Sequence, residues 1–244
     1  MRHWAIGLLA VALPIPASAQ DRPEDLVRAA VEAAGGTELL NKFPAGRVTA
    51  KGTITEPGAE VPVAVEQVYH LPARSRTVIR SEPRGQKLEL AQVVNGPKAR
   101  QMVNGNVIPL TEATTRELHT AVLLLEIGQL TPLLTDPKFA LKPEKPGKSV
   151  DVGVFVFVRG YPELRLGFDR KTAHLVRVSR KSPDPDTGKE VELELVLSDF
   201  KAFAGLTRPT RAVVLKDGRK ALDLTTVTFT PLEKVDPKEF DIGD

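Results

Sequence analysis

The sequence predicts a mainly β protein: a curved antiparallel sheet forming an incomplete β-barrel, with an N-terminal helix and a central apolar helical segment covering the concave face. Three observations carry this reading. Period-two alternation recurs in about ten segments, the pattern of strands with one buried face. Asn95-Gly96, Asn104-Gly105 and Asp217-Gly218 fall between such segments, and these pairs accept the positive φ of tight hairpins. The alternation is interrupted once, by an apolar run from Leu118 to Leu134.

The chain opens on Arg2 and an apolar core, Ala5 to Leu13, broken by Pro14 and Pro16 and followed by Ala17-Ser18-Ala19. These residues, 1–19, read as an export signal cleaved near Ala19-Gln20. The apolar run is about half of what a bilayer-spanning helix needs. Residues 20–244 then form a single exported domain, periplasmic or otherwise secreted. There is no cysteine, hence no disulfide and no acylated cysteine of a lipoprotein, so the mature protein is expected to be soluble. The formal charge of +3 is close to balance, and no dense basic run with interleaved aromatics occurs. Nucleic acid is therefore excluded as a partner.

The elements follow in order. Asp21-Arg22-Pro23-Glu24 reads as a helix start, with a capping aspartate, an early proline and a glutamate three residues after the cap. Leu26, Val27, Ala30, Val31 and Ala34 share one face, and Gly35-Gly36 ends the helix. Strand patterns cover Arg47 to Thr55, Val61 to His70, Arg74 to Ser81, Lys87 to Val94 and Lys98 to Val103, with a short one at Val107-Ile108. Thr114-Thr115-Arg116-Glu117 resembles a capping box for the apolar helix, and Gly128 and Pro132 predict a bend or break within it. Strands resume at Val152 to Val158, Leu164 to Phe168, His174 to Lys181, Val191 to Leu195, Arg211 to Lys216 and Ala221 to Phe229. Lys142 to Pro146 and Ser182 to Asp186 read as loops.

Catalytic patterns are missing. His70, His119 and His174 are isolated, and no pair has metal-ligand spacing. There is no nucleophile elbow and no phosphate loop. Glu190, Glu192 and Glu194 alternate as the solvated face of a strand. No enzyme activity, metal or cofactor is expected.

A sheet this long rolls up as its twist accumulates. Its inner wall draws on Leu88, Leu90, Val154, Val156, Leu164, Leu166, Leu193, Leu195, Leu222 and Leu224. Burying one leucine or valine is worth roughly 1.5–3 kcal/mol, so Leu118, Val122, Leu124, Leu125 and Ile127 must lie against that wall. The helix is either a plug that fills the interior or a lid over a cavity for acyl chains. Arg74, Arg76 and Arg80 share one face of their strand. They read as a solvated edge that discourages strand pairing, or as a basic rim for a headgroup.

Several segments, in this order, resemble the bacterial outer-membrane lipoprotein carriers of the LolA type. They are Tyr69-His70-Leu71-Pro72-Ala73-Arg74, Val93-Val94-Asn95-Gly96-Pro97-Lys98, Phe168-Asp169-Arg170-Lys171-Thr172 and Val227-Thr228-Phe229-Thr230-Pro231. The resemblance implies a half-barrel whose lid encloses a hydrophobic cavity for an acylated ligand, lipoprotein or lipid. It implies a monomer that moves this ligand between membrane donor and acceptor proteins. Leu71 stands where the family's lid-holding arginine precedes the proline, and aromatics are scarce. A non-catalytic envelope sensor or protein-interaction module is the alternative on the same fold.

Overall fold

The computed structural model describes residues 22–56, 58–145, 151–184 and 188–242; the segment read as an export signal, residues 1–19, lies outside them with Gln20 and Asp21, as does part of each proline-rich loop. Two helices open the described chain, α1 (Pro23–Ala33) and α2 (Thr37–Lys42). Six strands follow: β1 (Ala45–Glu56), β2 (Ala59–His70), β3 (Arg74–Ser81), β4 (Leu88–Asn95), β5 (Lys98–Val103) and β6 (Asn106–Ile108). Helices α3 (Glu112–Gly128) and α4 (Pro132–Thr135) interrupt them. The sheet is completed by β7 (Ala140–Pro143), β8 (Asp151–Phe157), β9 (Leu164–Asp169), β10 (Leu175–Pro183), β11 (Glu190–Phe203), β12 (Leu206–Lys216) and β13 (Arg219–Leu232).

All thirteen strands belong to one antiparallel sheet, in the order β6-β5-β4-β3-β2-β1-β13-β12-β11-β10-β9-β8-β7. The end strands β6 and β7 are not paired with each other, so the sheet stays open. It is nevertheless tightly curled. Strands β4 and β10 are seven places apart in that order, which on a flat sheet is about 34 Å. Yet adjacent residues of α3 reach both: Leu118 packs on Val94 of β4, and Glu117 bonds Arg180 of β10. Only a sheet rolled around the helix allows that.

Register decides which face is inside. Val154 pairs with Leu166, Leu166 with Val178, Val178 with Leu195, Leu195 with Val214 and Val214 with Leu222. Directly opposed residues share a face, so this row runs along the concave side. Leu164 and Val156 sit opposite each other on the same side, as do Leu90 and Ile79, and Leu88 and Ser81. The core lies where α1, α3 and α4 press on β8 to β10; Val27, Ile127, Val154, Leu164 and Leu166 are wholly buried there. A smaller cluster forms on the convex side, where Phe240 of a C-terminal 3₁₀ turn packs on Val68 and Val93.

Two of the three hairpin pairs behave as their chemistry requires; at the third, Asn95 closes β4 by pairing with Lys98, and only Gly96, at φ of 61°, takes the positive conformation. Asn104 and Gly105 have φ of 50° and 80°, Asp217 and Gly218 49° and 73°. Three expectations need correction. The cap of α3 is Thr111, whose Oγ1 accepts from Thr114 N at 3.1 Å, so the helix begins before the Thr114–Glu117 box. The stretch read as a loop from Lys142 contributes to β7, because pairing with β8 supplies hydrogen bonds that its composition does not advertise. Strands β11 and β12 extend through Phe203 and Leu206, well past the alternating residues.

Candidate functional site

Beneath the C-terminal half of α3 lies a cavity of about 220 Å³. Leu124, Leu125 and Gly128 of α3 form its roof, and Ala30 of α1 and Ala34, which caps that helix, close one side. The floor is the centre of the sheet: Val48 of β1, Gln67 and Tyr69 of β2, Leu197 and Phe200 of β11, Arg208 and Pro209 of β12, Thr226 and Phe229 of β13. His174 and Leu175 stand at its edge, and His174 stacks on Phe200 with 4.2 Å between ring centres. The space is larger than the ~150 Å³ apolar cavity that holds a benzene and smaller than the ~300 Å³ at which drug-sized pockets begin.

Local sequence makes the room. A Cβ at Gly46 of β1 would lie 2.6 Å from Tyr69 Oη and 2.9 Å from Phe229, so only glycine lets both rings lie over that strand. Gly35, with φ of 120°, turns the chain out of α1 against the backbone of Gly205 and Leu206. Thr207 N then donates to Ala34 O at 2.9 Å, which fixes α1 beside the residue that precedes Arg208.

The polar members of the wall are few. Gln129, buried at the end of α3, donates through Nε2 to the carbonyls of Leu40 and Phe43. Its Oε1 accepts from Arg208 Nη2 at 3.0 Å. Gln67 Nε2 donates to Thr77 Oγ1 at 3.0 Å. Tyr69 is buried, and burial raises its phenol above the ordinary tyrosine range, with the Arg208 charge pulling the other way. Burial also holds the Arg208 pKa below the usual guanidinium value. Among the described residues, Arg208 has no carboxylate partner and no Asp or Glu lines the cavity.

Of the wall residues named from the sequence, Leu124 and Leu125 line this space. Val154, Val156, Leu164, Leu166 and Ile127 are instead packed solid beside it. Leu195 is partly buried against that core, while Leu118 and Val122 pin the other half of α3 to Val94. Leu90, Leu193, Leu222 and Leu224 are partly covered on the same face, and Leu88 is exposed, 38% of its surface open. The interior is thus part plug and part hollow.

Arg74, Arg76 and Arg80 do not rim the cavity. Arg76 is paired with Val68, and its neighbour Thr77 with Gln67, which places all three arginines on the convex face. Arg80 there bonds Glu66 at 2.7 Å and Glu89 at 2.8 Å across the strands. The basic group that does reach the hollow, Arg208, went unrecognised because Pro209 beside it reads as a strand breaker. In the sequence Gln129 reads as part of the break between Gly128 and Pro132, a candidate hinge, and not as a cavity residue.

Among the described residues, no group of three His, Cys, Asp or Glu is placed to hold a metal. No helix there is long and apolar enough to cross a membrane.

No family model and no curated protein matches the sequence. Solved structures do match. A LolA superfamily protein from Nitrosomonas europaea superposes with a TM-score of 0.58 at 12% identity, over 91% of this chain and 98% of its own. An outer membrane lipoprotein-sorting protein domain from Vibrio parahaemolyticus gives 0.54 at 10%, over 90% and 97%. A DUF1329 family protein from Desulfovibrio piger gives 0.55 at 8%, over 91% and 98%. At such identities the likeness is one of fold. An open, curled antiparallel sheet wrapped around a central helix, spanned end to end by these neighbours, is the LolA-like fold.

Proposed function

We propose that this protein is a periplasmic carrier that holds the acyl chain of a lipoprotein or lipid beneath α3 and moves it between membranes. The observation that carries the reading is the unfilled apolar hollow under Leu124 and Leu125. An apolar space left open inside a protein forfeits dispersion contacts that an occupant restores. Each methylene moved there from water contributes roughly 0.8 kcal/mol. The exported, mature chain works as a single-domain monomer, without catalysis, and exchanges its cargo with a membrane donor and an acceptor. The LolA-like fold supports this, since solved neighbours include a lipoprotein-sorting domain.

Protein purified gently from its host should carry extractable lipid, detected by native mass spectrometry, and should bind a fluorescent fatty acid. Leu125→Arg, which puts a charge into the roof, should abolish uptake while thermal unfolding stays cooperative. Clean protein that binds no fatty acid would overturn the carrier. Capture of a stoichiometric protein partner by lipid-free material would favour the sensor in its place.

A further inference from the structure

Arg208 is the feature that a purely apolar cavity does not explain. A guanidinium carries five N–H donors and stays charged in proteins. Here one donor is used, on the neutral Oε1 of Gln129, and among the described residues no carboxylate answers the charge. Setting a cation into a wall made by Leu124, Leu125, Leu197 and Phe229 is costly unless an anion or water accompanies it. Tyr69, buried on the same wall, brings a phenol O–H near enough to Arg208 for the two groups to interact electrostatically. Two donors thus converge on a space that contains no protein acid.

We propose that the cavity takes a single-chain amphiphile with an oxyanion head, carboxylate or phosphate, whose head is received by Arg208 and Tyr69. Its chain lies along Leu124, Leu125, Leu197 and Phe229. The claim rests on the carrier reading and sharpens it, since a volume of about 220 Å³ suits one chain segment rather than several. Arg–carboxylate and Arg–phosphate pairs are charge-assisted and often two-pronged, so the head sets both the orientation and the selectivity of binding.

The test is calorimetric titration of the intact protein with palmitate, hexadecyl phosphate, hexadecanol and inorganic phosphate, at a pH where both acids are ionised. Wild-type protein should bind palmitate or hexadecyl phosphate at least about tenfold tighter than hexadecanol, the scale of one charge-assisted hydrogen bond. Whichever acid binds more tightly identifies the head. Arg208→Gln removes the charge; it should bring the acid down to the affinity that the same variant shows for hexadecanol, with thermal unfolding still cooperative. Arg208→Lys should fall between.

Equal affinity for acid and alcohol, or a preference that survives Arg208→Gln, overturns the proposal and leaves the carrier standing. So does inorganic phosphate binding as tightly as either amphiphile, which would mean an anion site indifferent to the chain. If no amphiphile binds at all, the carrier reading itself falls, and this inference with it.

Discussion

Gln129 joins three pieces of the structure with one side chain. Its Nε2 reaches the carbonyls of Leu40 and Phe43, the latter at 3.1 Å, and its Oε1 receives Arg208. Next to it Thr131 Oγ1 donates to Asn41 Oδ1 at 3.0 Å, and Leu130 takes the unusual φ of 65° while remaining buried. The break after α3 is therefore bolted to α2. Sequence alone reads Gly128 to Pro132 as a hinge, and these bonds make it a fixed pivot. Removing the bolt exposes its worth: Gln129→Ala strands carbonyls in a dry place, at about 1–3 kcal/mol. In a chain of this size that lowers Tm by about 3–10 °C. Differential scanning calorimetry measures it, and an unchanged Tm would mean that water replaces the amide without loss.

The two ends of α3 are held differently. Its C-terminal end is buried among Ile127, Leu130 and Leu133, whereas its N-terminal turns hold on through Leu118 and Val122 and through Glu117. Glu117 accepts from Arg180 Nη1 at 3.1 Å, from Arg180 Nη2, and from Ser182 Oγ at 2.9 Å. Glu117 is 41% exposed but Arg180 only 10%, so the pair is partly screened by water and worth about 1–3 kcal/mol. That is small enough for a latch that must release. Glu117→Gln should raise amide hydrogen exchange over residues 112–122 severalfold and leave 127–131 as protected as before. Uniform loosening of the whole helix would argue against a latch. How much of this could be read from the chain follows from what each residue's signal depends on. The Asn-Gly and Asp-Gly turns are local chemistry, and Leu164 and Leu166 declare their face by alternation, so these were legible. The hairpin through Phe200 and Pro209 was not. Asp199, at φ of 55°, and Thr210 opposite it drop out of the β11–β12 ladder without a change of register, and Thr210 Oγ1 donates to the Asp199 carbonyl. Arg208 lies in a run, Thr207 to Arg211, whose polar residues and proline give no apolar alternation, and so the most telling side chain of the cavity carried no strand signal. Likewise, burial of Val154 as core and of Leu124 as cavity roof depends on where α3 lands, which no strand pattern encodes.

At the scale of the whole molecule, an open sheet curled around a helix sets two opposing demands. The hollow must be covered to hold a chain away from water, yet a space of about 220 Å³ under a seated helix admits a long tail only if something gives way. The edges β6 and β7 are unpaired with each other, so the sheet can flex without breaking its ladder. The cheaper motion is that of α3, pivoting at Gln129 and lifting at Leu118, because its apolar grip at that end is one small cluster around Val94. Closing that seam covalently separates the lid motion from every other route. A Leu118→Cys, Val94→Cys pair, oxidised in protein without native thiols, should leave the fold intact and slow fatty-acid uptake and release by at least about tenfold, the effect of blocking an opening worth ~1.4 kcal/mol. Reduction should restore the wild-type rate in stopped-flow fluorescence. Quantitative formation of the disulfide with no change in rate would mean that the chain enters between the sheet edges instead, and that α3 is a static roof.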